Sequence, residues 1–189
     1  MTAALPVPAR NDWTAEDLDN LPDSYRYEIV DGALIMTPSP TTQHQELAHV
    51  LTAFVRAVVP RGWSAISDVD VVLTEDQRNT RRPDVVVYNR KHSGSKLRPE
   101  DVRLVVEIVS GGSKTEDRVT KPVVYAEAGI PCYWRVEQEP VLSIVEYQLT
   151  ELGKYYEHSP RAGVFTVDKP WPIEIDLDAL AREAGLEGH

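Results

Sequence analysis

The stretch PDVVVYNRKHSGSKLRPEDVRLVVEIVS, residues 83–110, sets two dense apolar runs around a polar loop. VVVY (85–88) and LVVEIV (104–109) are short, rich in valine and bounded by turn residues. That is the pattern of interior strands covered on both faces. One residue breaks the second run. Glu107 stands among Leu, Val and Ile, where an unpaired carboxylate costs several kcal/mol to desolvate.

Strand alternation puts Val105, Glu107 and Val109 on one face and Leu104, Val106 and Ile108 on the other. Asp84 opens the first run, and Pro83 suits a strand's first residue, which can spare its N–H. Neighbouring strands built this way present one carboxylate each at the same rim of the sheet. Such a pair suits a hard divalent cation, with the main-chain carbonyl of Ile108 as a further ligand. A cation held there clamps a phosphodiester and lowers the pKa of a bound water. The competing reading pairs Glu107 with an arginine such as Arg82 or Arg118 and makes Asp84 a turn cap.

Upstream, YRYEIVDGALIMT (25–37) predicts a hairpin turning on Asp31-Gly32. Before it, Thr14 caps a short predicted helix, TAEDLDNL (14–21), which Pro22 ends. After it, Leu47, Val50, Leu51, Phe54, Val55 and Val58 recur on one helical face, and Pro60 and Gly62 stop the helix. SDVDVVLT (67–74) alternates and predicts a strand, followed by a polar loop, TEDQRNTRR (74–82).

Downstream, residues 112–131 are helical in character, with Ser113 and Glu116 spaced as a capping box and Gly129 and Pro131 at the close. Pro122 either kinks this helix or sits in the first turn of a fresh one. Asp117 and Lys121 are four apart and share a face. Read alone they are a surface ion pair. Beside a metal-bound phosphate, the lysine can stabilise developing charge or orient the attacking water. Strand-like runs follow at 132–137, 141–149, 154–159 and 163–167, and an amphipathic helix at 176–185. The class is α+β with an α/β-like core. Tyr133 and Trp134 read as core rather than as a base-stacking platform.

The 189 residues suit one domain, expected over 13–189 behind a flexible leader, 1–12. Cys132 is alone, so no internal disulfide forms, and a reducing cytoplasmic setting is expected. No secretion signal or apolar run of membrane-spanning length stands out. The net charge of −10 argues against a broad basic surface for nucleic acid, although metal ions at an acidic site offset part of it locally.

RRPDVVVY, VVEIVS, and DRVTK with YAEAGIPCYWRVE, in that order, resemble the PD-(D/E)xK nuclease superfamily. More closely, the chain is similar to the bacterial Uma-type restriction-endonuclease family, over about Tyr25 to Tyr147, with YRYEIVDGALIMTPSPTTQHQ as the family's first motif. The resemblance implies a mixed central sheet flanked by helices, with the acids clustered at one edge. It implies Asp84 and Glu107 as metal ligands, Lys121 as the family's lysine moved onto the following helix, and Glu28 as a third acid. Glu28 reads equally as an exposed hairpin residue. His44 and Gln45 match the family's first helix start, and Ser110 and Tyr125 belong to the same pattern as supporting residues. Gly111-Gly112-Ser113 stands where the family has Pro-Ser-Thr, and Pro122 follows the lysine directly. The implied activity is Mg²⁺-dependent DNA endonuclease, with Mn²⁺ able to substitute, working as a homodimer through strands 141–157. The alternatives are a nuclease fold without activity that serves as a binding module, and a hydrolase of another phosphoester.

Overall fold

The computed structural model describes residues 10–22, 25–37, 39–110 and 115–186. The expected Ser113 cap and the Gly111-Gly112 link lie outside the described residues, as does most of the expected leader.

The core is a seven-stranded mixed sheet. Its strands are β3 (Trp63–Ile66), β6 (Val85–Asn89), β7 (Val102–Ile108), β8 (Cys132–Glu137), β9 (Ser143–Leu149), β10 (Tyr155–Glu157) and β11 (Arg161–Ala162). The order is β10-β9-β8-β7-β6-β3, with β11 also on β9. Only β7 and β8 run parallel. Parallel neighbours need a crossover, and here it is α2 (Lys121–Glu127). The crossover sets the start of α2 beside the carboxyl end of β7, where open sheets of this kind leave a crevice.

The alternation read from the sequence holds. Leu104, Val106 and Ile108 enter one core with α1 (Thr42–Val58) and α3 (Leu177–Glu183), while Val105 enters a second core with Tyr125, Tyr133 and Tyr147. Trp134 packs edge-on against Phe165, so it is core, and so is Tyr133.

A smaller antiparallel sheet, ordered β2-β1-β5-β4, lies apart from the main one. It comprises β1 (Arg26–Val30), β2 (Ala33–Thr37), β4 (Val71–Val72) and β5 (Thr80–Arg81). β1 and β2 form the expected hairpin. Asp31 and Gly32 take φ of 50° and 81°, which a two-residue hairpin turn requires. A short pair, β12 (Val164–Val167) with β13 (Ile173–Asp176), completes the strands among the described residues.

Several expected elements change. The strand over 67–74 shrinks to Val71–Val72, because Asp68 is left-handed at φ 58° and interrupts the extended chain. The helix at 14–21 shrinks to a 3₁₀ turn, Asp17–Asn20, and Thr14 does not cap it by accepting. Instead the Asp17 carboxylate accepts from the Thr14 N–H and hydroxyl at 2.8 and 3.0 Å. Helix α1 starts at an N-cap Thr41, whose hydroxyl accepts from the His44 N–H, and its last apolar residue, Val58, is exposed. Strands β3, β5, β11 and β13 were not anticipated.

Candidate active site

The antiparallel register pairs Val85 with Val106, so one step further along it sets Asp84 against Glu107. Both carboxylates lie at the floor of a cavity of about 760 Å³. The β1–β2 hairpin walls one side, the start of α1 another, and the lead into α2 a third. Asp84, Glu107 and Lys121 are 8%, 3% and 8% exposed, so all three are recessed.

Glu107 does not pair with an arginine. Lys121 Nζ lies 2.8 Å from its Oε2, and the Tyr125 hydroxyl donates to its Oε1 at 2.6 Å. Arg118 is taken by Glu137 and Arg82 by Asp70. Asp84 is more than a turn cap. Its Oδ2 accepts from the Ile108 N–H at 2.8 Å, and its Oδ1 meets His44 Nε2 at 2.9 Å. Asp117 and Lys121 are not a surface pair, since both are buried and their charges stand 2.9 Å apart.

Glu28 is buried rather than exposed. Its Oε1 accepts from the Arg82 N–H at 3.1 Å, and the residue faces the cavity. Ser110 and Ile108 line the cavity as well. Gln45 is exposed and takes no part in the lining. It sits one residue past His44, about 100° around the helix, and so turns outward.

Arg26 was missed. It shares a strand face with Glu28 by alternation, and it reaches Asp68 at 3.0 Å and Asp84 at 3.8 Å. That two-residue spacing in RYE was the available signal.

Pro122 resolves in favour of a fresh helix start. A π-turn, Glu116–Thr120, precedes it, and the Lys121 N–H reaches back to the Glu116 carbonyl. The next bond of that kind would come from residue 122 to the Asp117 carbonyl, but proline has no N–H. The Tyr133 hydroxyl donates to that carbonyl instead, at 2.8 Å. The extra residue of a π-turn re-aims the side chains around it. Here Asp117 and Lys121 both turn into the cavity.

Burial raises the Glu107 carboxyl to about 8; Lys121 pulls it down, and Asp84, Asp117 and Glu28 push it further up. Burial disfavours the Lys121 charge, but Glu107, Glu28 and Asp117 outweigh it and hold the ammonium protonated. Asp84 is desolvated too, yet His44 and the Ile108 N–H bring it below the usual carboxylate range.

The donor chemistry fits a hard divalent cation. Each oxygen of Asp84 and Glu107 has one close partner, and a carboxylate oxygen carries two lone pairs. Five carboxyl groups line the cavity against Arg26, Arg82 and Lys121, and with Glu107 deprotonated the excess is one that a divalent cation matches. No three His, Cys, Asp or Glu side chains converge as a cage among the described residues. That set suits Mg²⁺, which keeps several waters and takes one or two carboxylates with substrate phosphate.

No helix among the described residues is long and apolar enough to cross a membrane. No curated protein matches the chain. A crystal structure described as "a putative nuclease belonging to DUF820", from Anabaena variabilis, is similar in fold at a TM-score of 0.66 and 14% identity. The likeness covers 91% of this chain and 99% of that one. The Uma2 family profile, described as "Putative restriction endonuclease", matches residues 15–168 and supports a nuclease function. The chain belongs to the Uma2 family.

Proposed function

We propose that the chain is a divalent-metal-dependent endonuclease that hydrolyses DNA phosphodiesters. One observation carries it: Asp84, Glu107 and Lys121, from the lead into β6, from β7 and from α2, converge at the floor of one recessed cavity. Asp84 and Glu107, with the Ile108 main chain, would hold Mg²⁺ or Mn²⁺. Bound there, the ion supplies Lewis-acid polarisation and a water of lowered pKa. Lys121 Nζ stabilises charge developing on the phosphoryl oxygens. Arg26 and Arg82 orient the phosphate, and His44 and Tyr125 fix the two ligand carboxylates. Glu28 completes the acid set from the hairpin.

Calorimetry of Mn²⁺ binding tests this, with the wild type beside Asp84→Ala. Saturable binding that vanishes in the variant is expected, followed by metal-dependent cleavage of DNA. A folded wild type that binds no Mn²⁺ would overturn it. Binding without DNA cleavage would instead point to another phosphoester.

A homodimer belongs to the same proposal. β10 is an edge strand, and Tyr156 on it and Leu152 before it are 61% and 87% exposed. Edge strands offer unpaired main-chain groups to a second copy. Light scattering should give twice the 21.2 kDa of one chain, and a monomeric mass would sink it.

A further inference from the structure

The hairpin wall of the cavity is chemically divided. On its inner face the cross-strand pairs run Arg26–Thr37, Glu28–Ile35 and Val30–Ala33. All six residues line the cavity. The wall is therefore charged at one end and aliphatic at the other. Successive pairs on one face stand about 7 Å apart. Ile35 is thus one step from the Arg26 end and Val30–Ala33 is two, which brackets the distance from a phosphate to its own base.

We propose that this aliphatic end, formed by Val30, Ala33 and Ile35, is a nucleobase subsite, so that the chain takes an unpaired nucleotide of DNA rather than intact duplex. The inference rests on the phosphate-binding reading of the same cavity. Two further observations support it. The catalytic candidates are recessed at the cavity floor, and a base stacked within a duplex cannot follow its phosphate there unless it is extruded. The volume, about 760 Å³, falls within the range that encloses a ligand of mononucleotide size. Among the described lining residues there is no Phe, Tyr or Trp to stack on, the His44 ring is held by Asp84, and there is no Asn or Gln to read a base edge. Recognition of the base then rests on burial against the aliphatic end.

The test is calorimetric titration with dAMP and with deoxyribose 5-phosphate, both in Mg²⁺, with no need for turnover. Burying a base against aliphatic walls is worth a factor of about ten, so the wild type should bind dAMP about tenfold more tightly. Ile35→Asp and, independently, Ala33→Asp should bring the two affinities level while sugar-phosphate binding persists. Ile35 is 41% exposed, so its replacement leaves the core intact. Met36→Asp, one residue on and facing outward at 51% exposure, should leave the ratio unchanged. Equal affinities in the wild type would overturn the base subsite while leaving the phosphate site standing. An advantage that survives both Asp variants would overturn its location. If neither ligand binds, the phosphate reading itself fails, and the subsite with it. A single-stranded oligonucleotide should also bind more tightly than its duplex, and the reverse order would overturn the unpaired-strand preference.

Discussion

The phenol of Tyr133 donates to the main-chain carbonyl of Asp117 at 2.8 Å, at the point where Pro122 has no N–H to give. One side chain of the sheet thus completes a helical turn that proline leaves open. That turn carries both Asp117 and Lys121 into the cavity.

Tyr133→Phe keeps the ring among Tyr125, Tyr147 and Tyr155 but leaves the Asp117 carbonyl buried without its donor. The cost expected in urea denaturation is about 1–3 kcal/mol. If the hydroxyl positions Lys121, turnover falls more than substrate affinity, and Mn²⁺ affinity at Asp84 and Glu107 holds. Unchanged turnover in a destabilised variant would make the contact purely structural.

Lys121 bridges two buried carboxylates, Glu107 and Asp117. Lys121→Met removes the cation and leaves both acids buried. Breaking a buried pair from one side costs about 3–5 kcal/mol. Above pH 8, where Glu107 is ionised in the wild type, it takes up a proton in the variant, so the loss should sit at the low end. The double variant Lys121→Met with Glu107→Gln should recover part of it, and cleavage should fall about 10²–10³-fold in the single variant. Equal stability of wild type and Lys121→Met in denaturant would contradict the bridging role.

The acid pair was legible because two dense strands and simple alternation fix its place. Pro83 marked a strand start, and Glu107 was a charge where none should be. The depth of Asp117 and Lys121 was not legible. Four-residue spacing says that two side chains can meet, not that a crossover will bury them against a sheet. The β5 strand hid for a related reason. Arg81 is almost fully buried, held by the Ile29 carbonyl at 2.5 Å, and a buried arginine in a charged loop defeats any hydrophobic pattern. β3 and β13 have only four residues each, too few for alternation to stand out. Gln45 was carried over with His44 from a motif, and helical geometry separates the two.

Arg26 holds Asp68 and approaches Asp84 from the hairpin, a position suited to a phosphate oxygen. Arg26→Gln should weaken DNA binding about uniformly across sequences and lower its salt dependence by about one phosphate contact. Mn²⁺ affinity should stay level, because Asp84 and Glu107, the proposed ligands, keep their own partners. An unchanged salt slope, measured by anisotropy over a range of salt, would show that Arg26 serves the fold alone.

Burial holds the Glu107 carboxyl up at about 8, against an ordinary value of 4.5. The folded chain therefore keeps a proton that the unfolded chain loses much earlier. A raised carboxyl contributes stability that is full below the unfolded value and is lost as pH rises through the folded one. Glu107→Gln stays neutral and has no such slope. The melting temperature of the wild type relative to Glu107→Gln should fall between about pH 4.5 and 8 and then level off. A divalent cation held by Glu107, as proposed, would compete with the same proton, so Mn²⁺ affinity should rise across that interval. Added Mn²⁺ should restore the wild type at the alkaline end and leave Glu107→Gln unmoved. A difference between the two proteins that is flat with pH would mean that Glu107 stays ionised beside Lys121, and the proton–metal exchange would fall with it.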